Sequence, residues 1–135
     1  MALIDDIKKH EGFSPVVYQC TAGYDTIGYG QRVKYLKVTQ EQAEEWLLEE
    51  LQNLKYILAD KYDWFLSAPQ EVKDVVMNMN YQLGVSAFSK FKKTIKYIAN
   101  KDYQMASVEM LDSKWARDDT PRRAKELSDR IAKVE

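Results

Sequence analysis

HEGFSPVVYQCTAGYDTIGYG, residues 10–30, sets Glu11, Cys20 and Thr26 at fixed separations inside a segment dense in turn residues. A carboxylic acid, a thiol and a hydroxyl held near one another can protonate a leaving group and aim a water at the bond being broken. Just upstream, Leu3, Ile4 and Ile7 lie at helical spacing, and Glu11 continues the row that Ile4 and Ile7 begin. Gly12 follows at once, where a helix would end on a left-handed residue. The pattern predicts a carboxyl on the apolar face of a short helix, at its last turn. Desolvation there raises a carboxyl pKa and keeps the proton that a general acid needs. A glutamate ending a short helix is ordinarily a solvated residue, so this reading rests on its neighbours.

Beyond Gly12 the chain changes character. Val16, Val17 and Tyr18 favour a strand, Thr21-Ala22-Gly23 a turn and Thr26 to Tyr29 a second strand, with a third expected from Val33 to Leu36. A sheet this small must pack on helices. Everything after Val38 reads as helical. Thr39 and Gln42 have the spacing of a capping box, with Val38 as its staple residue. Ala43, Trp46 or Leu47, Leu51, Leu54 and Leu58 then form a stripe. Pro69 opens a helix carrying Val72, Val75 or Val76, Met79 and Leu83, which Gly84 ends. Phe88, Phe91, Ile95 and Ile98 mark another, and Met105, Val108 and Leu111 or Trp115 the next. Thr120-Pro121 caps a last helix with Ala124, Leu127 and Ile131. The expected fold class is α+β: a small N-terminal β-lobe packed on a predominantly helical bundle, with a cleft between. Residues 12–36 form the lobe and residues 1–11 and 39–135 the helical part of a single domain.

The length of 135 residues suits one domain. No apolar run approaches a membrane span, so no stable membrane insertion is expected, and MALIDDIKKHEG lacks the apolar core of a signal peptide. The single cysteine excludes an internal disulfide, and the one histidine, His10, has no metal-ligand partner at a sensible spacing. The formal net charge of −1 hides a bias, since residues 1–87 carry 8 Lys and Arg against 13 acids and residues 88–135 carry 12 against 8. A basic C-terminal half suits an anionic polymer, although solvated helix faces explain such a bias equally well. The cations are interleaved with acids and no nucleic-acid motif occurs, so nucleic acid is not an expected partner.

The string of residues 10–30 resembles the signature of phage-type lysozymes (glycoside hydrolase family 24). That signature is a Glu-Gly pair, a Tyr two residues before an Asp or Cys, and Gly-x-x-Thr-Ile-Gly-x-Gly. Here it is met by Glu11-Gly12, Tyr18-x-Cys20 and Gly23 to Gly30, with eight residues between Glu11 and Cys20 and five between Cys20 and Thr26. The resemblance continues through Met79 to Gly84, and through Ser113-Lys114-Trp115 and Thr120 to Ala124. It departs by one extra residue between those last two blocks. Gln31 stands where many relatives have His, and the segment from Gln31 to Leu36 is short.

The resemblance implies an endolysin, an N-acetylmuramidase that hydrolyses the β-1,4 bond between N-acetylmuramic acid and N-acetylglucosamine in peptidoglycan, without metal or organic cofactor. Glu11 would be the general acid, Cys20 the group beside the attacking water and Thr26 the hydroxyl holding it. Tyr81, Gln82 and Thr94 match positions that contact sugar rings, Arg123 one that pairs with the catalytic Glu, and Gly30 a supporting position. Cys20 stands where many relatives have Asp; a carboxylate beside a thiol is expected to raise its pKa, leaving it to orient water rather than act as base. A thiolate would instead open a retaining, covalent route, and a buried, inert cysteine is the plain alternative. Trp46, Trp64, Tyr97 and Trp115 are expected in the core. A lytic transglycosylase and a non-catalytic wall-binding protein remain open beside the hydrolase. The expected setting is a monomer in the host cytoplasm that reaches the wall through a holin-type pore, or a lysin carried in the virion.

Overall fold

A computed structural model describes residues 2–135. The chain forms two compact units, one running through Glu44 and the other from Glu45 to Glu135. In the first, helix α1 (Ala2–Glu11) stops where Gly12 takes φ +70° and its N–H closes on Lys8 O at 2.9 Å. Three antiparallel strands follow in the order β1 (Ser14–Gln19), β2 (Asp25–Gly28) and β3 (Gln31–Arg32). Tyr18 pairs with Thr26 and Thr26 with Arg32, so these three share one register line across the sheet. The third strand falls earlier than the expected Val33 to Leu36. Val33–Tyr35 winds into a 3₁₀ turn, and the ladder is made by the polar pair before it.

Helix α2 (Gln40–Lys61) begins with the expected reciprocal box: Gln42 N–H donates to Thr39 Oγ1 at 3.1 Å and Thr39 N–H to Gln42 Oε1 at 2.9 Å. Its apolar stripe is covered only toward the C-terminal end, where Leu54 packs on the core of the second unit and Leu58 is wholly buried. Trp46, expected in the core, is 56% exposed.

The second unit buries Leu58, Phe65, Val72, Val76, Met79, Phe88, Met110 and Ile131 in one cluster, with Trp64 and Tyr97 packed at its edge. Helix α3 (Gln70–Leu83) runs from Pro69 to Gly84 as its sequence signals dictate. The next apolar stripe, expected to be one helix, is broken into α4 (Val85–Phe88) and α5 (Lys92–Ala99). Ser89 Oγ bonds back to Ser86 O at 2.5 Å, and Phe91 leaves helical geometry at ψ 57°, so the chain turns while both phenylalanine rings stay stacked 6.2 Å apart. Helix α6 (Tyr103–Leu111) buries Tyr103, Ala106, Ser107 and Met110. Met105 and Val108, the expected stripe, face out at 38% and 59% exposure. Small side chains at 106 and 107 let this helix lie close on α7 (Pro121–Ala132), which presents Ala124 and Leu127. No helix among the described residues is long and apolar enough to cross a membrane.

Candidate active site

Glu11, Cys20, Thr26 and Gly30 belong to the first unit, and Tyr81, Gln82, Thr94 and Arg123 to the second. In the first unit the Phe13 ring lies 5.4 Å from the Tyr29 ring, and Lys8 Nζ sits 5.4 Å from the centroid of that same ring. Tyr29 thus docks the β2–β3 turn on the end of α1. Gln31 tightens the turn, its Oε1 accepting the Tyr29 N–H at 2.6 Å, which gives the residue in the usual His position a local structural task. The consequence is contact between Gly30 and Glu11: a Cβ on Gly30 would stand 2.6 Å from Glu11 Oε2, and Gly30 itself has φ +77°. Only glycine satisfies both conditions.

The burial expected for Glu11 is not found on α1. Leu3, Ile4 and Ile7 are 65%, 49% and 45% exposed, and Glu11 is exposed with them. An amphipathic pattern fixes which side chains share a face; it does not supply the layer that covers it. The carboxyl opens instead on a hollow of about 290 Å³ lined by Gly12, Phe13, Ser14 and Tyr18.

Cys20 ends β1 and begins a tight turn in which Gly23 N–H reaches Cys20 O at 2.8 Å and Cys20 N–H reaches Tyr24 O at 3.0 Å. The thiol pKa is lowered, opposite to the direction expected from the sequence. Backbone hydrogen bonds from Tyr24 and Ala22 are the main causes; burial opposes them, and the Thr26 hydroxyl and Arg32 charge add to the lowering. The sequence could place a carboxylate near the thiol but not the backbone N–H groups that a tight turn aims at it. Thr26 is 2% exposed and its hydroxyl donates to Tyr24 O at 2.8 Å. While that proton is on Tyr24 O the Thr26 oxygen is free to accept a hydrogen bond from a water; turned toward Cys20, the same hydroxyl donates to the thiolate instead. We expect Cys20 alkylation by iodoacetamide, followed against pH, to show a midpoint below the ordinary thiol value of 9.0. The thiolate then forms at lower pH than in a free cysteine. Thr26→Val should move the midpoint upward, and a wild-type midpoint above 9.0 would contradict the geometry.

In the second unit, Gln82 is a clamp. Its Oε1 accepts the Trp115 indole N–H at 2.9 Å and its Nε2 donates to Thr120 Oγ1 at 3.0 Å. Indole nitrogen only donates, which fixes the orientation of the amide. Thr120 precedes Pro121 as expected but spends its hydroxyl on Gln82 rather than on a helix N–H. The extra residue between Trp115 and Thr120 is absorbed by a π turn (Trp115–Asp119), closed by Thr120 N–H on Trp115 O at 2.9 Å. Trp115 is buried as expected, edge-on to Phe91. Tyr81 is 50% exposed. Thr94 is buried at the base of a cavity of about 400 Å³ that Lys93, Glu109 and Ser113 also line. Arg123 is held by Asn78, whose Oδ1 accepts from Nε at 2.9 Å and from Nη2 at 2.6 Å. Sequence reasoning missed Asn78, although its place one turn before Tyr81 and Gln82 on α3 puts it on their face. It also missed Arg32, which strand alternation would have set opposite Thr26.

A small antiparallel sheet with an acid at the end of the preceding helix, a thiol in its first turn and a hydroxyl on its second strand, followed by a helical unit with an amide clamp on a buried indole, defines a lysozyme-like α+β protein. Residues 8–133 match the Phage lysozyme family. An Endolysin of Acyrthosiphon pisum secondary endosymbiont phage 1 is 32% identical over 114 residues, which cover 82% of this chain and 75% of that protein. A Probable T4-type lysozyme 2 of Dictyostelium discoideum is 40% identical over 52 residues, 38% of this chain and 30% of that protein. The chain belongs to the phage lysozyme family, and with that membership comes a lysozyme-type hydrolase function.

Proposed function

We propose that the protein is an N-acetylmuramidase that hydrolyses the β-1,4 bond between N-acetylmuramic acid and N-acetylglucosamine in peptidoglycan, releasing the host's contents at the end of a phage cycle. Glu11 donates its proton to the glycosidic oxygen. Thr26, its own proton held by Tyr24 O, accepts a hydrogen bond from the attacking water and so turns an oxygen lone pair toward the anomeric carbon. Cys20, with its thiolate favoured by the turn around it, takes the water's other proton. Attack from the face opposite the leaving group inverts the anomeric centre. Tyr81 and Thr94 bear on the sugar chain. Gln82 acts by fixing Trp115, and Arg123 is steadied by Asn78.

The observation that carries this reading is the close seat of the Glu11 carboxyl on Gly30. One short turn of β2–β3 thereby ties the acid to the sheet that carries Cys20 and Thr26. The protein is placed in the host cytoplasm, acting on the wall once the membrane has been permeabilised. The test is the release of new reducing ends from purified, metal-stripped sacculi. Steady release by the wild type, with Cys20→Asp active and Cys20→Ala strongly reduced, supports the assignment. Absence of release by the wild type would refute the hydrolase reading, and unimpaired turnover by Cys20→Ala would remove the thiol from it.

A further inference from the structure

Resting on the reading of the substrate as peptidoglycan, we propose that the concavity between the β1–β2 turn and the 3₁₀ turn is a subsite for an amino-acyl group of the substrate, with Arg32 and Lys34 taking its carboxylate and Asp25 its N–H. The concavity measures about 500 Å³ and lies wholly within the first unit. That volume falls in the range of small-molecule sites. Its walls are Gln19, Tyr24, Asp25, Arg32, Lys34 and Tyr35.

Both cations are presented on aromatic faces. The Arg32 guanidinium lies 3.8 Å from the centre of the Tyr24 ring, and Lys34 Nζ lies 5.8 Å from that of Tyr35. Among the described residues neither forms an ion pair; the five that exist all lie between residues 71 and 130. A guanidinium seated 3.8 Å over a ring centre is restrained by it, and it makes no ion pair among the described residues. It is therefore ready for a planar, two-pronged acceptor such as a carboxylate. Asp25 on the same wall is also unpaired, and it makes a site for an anion alone unfavourable. A group carrying a carboxylate together with an amide N–H or an ammonium satisfies all three charges. Amino acids joined to the sugar chain carry both on one flexible arm; in the bare sugar acid the lactyl carboxylate and the acetamido N–H are fixed on different ring carbons. Arg32 pairs with Thr26 across the β2–β3 ladder, so an amino-acyl group held here is registered against the strand that holds the proposed water.

The measurement is amide shift perturbation of the full chain titrated with N-acetylmuramoyl dipeptide and, separately, with N-acetylmuramic acid. The dipeptide is expected to shift the amides of Tyr24, Asp25, Arg32 and Lys34, and to bind at least about threefold more tightly than the sugar acid. Arg32→Gln and Lys34→Gln should each weaken it about threefold to tenfold. Lys34 lies in an exposed turn, so its variant reports on binding even where Arg32→Gln disturbs the small sheet. On intact sacculi Lys34→Gln should raise KM by a similar factor and hold kcat within about twofold. Equal affinity for the two ligands would overturn the amino-acyl assignment. Absence of shifts at these four residues would overturn the subsite itself. A wild type that binds the dipeptide here yet cleaves no sacculi would sink the proposed activity and leave the subsite standing.

Discussion

Glu11→Gln is expected to lower sacculus cleavage by about a thousandfold or more while the protein stays folded. Removing a positioned general acid commonly costs about 10²–10⁴ in rate. The amide matches the carboxyl in shape but cannot release a proton to the glycosidic oxygen. Folding should be untouched, because Glu11 is exposed and enters none of the ion pairs found among the described residues. A circular dichroism spectrum and a melting temperature within about 2 °C of wild type would show this, since surface changes are mostly within about 0.5 kcal/mol. The exposure of α1 also shapes the mechanism. With Leu3, Ile4 and Ile7 open to solvent, the sugar chain itself must displace water from around the acid as it binds. Glu11→Asp then makes a second point. It keeps a proton donor but withdraws it by one methylene, and a misplacement of about 1 Å costs on the order of 10²-fold.

Gly30→Ala should lose both activity and stability, for two separable reasons. At φ +77° an L side chain costs roughly 1–2 kcal/mol. For a chain of this size that lowers the melting temperature by roughly 3–10 °C. The new methyl also stands 2.6 Å from Glu11 Oε2, so the acid must swing away from the β2–β3 turn. The rate should fall about a hundredfold on that account. Gly84→Ala is the control for backbone strain: at φ +88° and ψ 155° an L side chain is strained there too, and no atom lies within 4 Å of the added methyl. It should melt lower yet cleave sacculi at close to the wild-type rate. A Gly30→Ala enzyme as active as Gly84→Ala would show that the turn does not position the acid.

Local signals in the sequence were dependable wherever one residue's chemistry decides the backbone. Gly12 ends α1, Thr39 and Gln42 form their reciprocal box, and Pro69 and Gly84 bound α3. Periodicity was weaker, because it ranks apolar side chains without regard to what packs on them. It chose Met105 and Val108 on α6, where the buried face is Tyr103, Ala106 and Met110, and small residues there allow the close approach of α7. It joined Phe88 to Ile98 in one helix because the Phe88 and Phe91 rings both pack on the core, but the backbone breaks at Ser89 and Phe91. The same limit governs the site. Residue type and spacing singled out Glu11, Cys20 and Thr26, and the family resemblance added Gly30. That Gly30 touches the acid, that turn N–H groups stabilise the thiolate, and that Gln82 is clamped between Trp115 and Thr120 are through-space facts.

The most direct measurement is mass spectrometry of the glycan ends left after exhaustive digestion of purified sacculi, wild type beside Glu11→Gln. Hydrolysis with Glu11 as proton donor and a water held at Thr26 predicts reducing N-acetylmuramic acid ends from the wild type and none above background from the variant. Anhydro-muramic ends would replace the water by the sugar's own hydroxyl, and reducing N-acetylglucosamine ends would move the cut to the other bond. Either result, or full digestion by Glu11→Gln, would contradict the account.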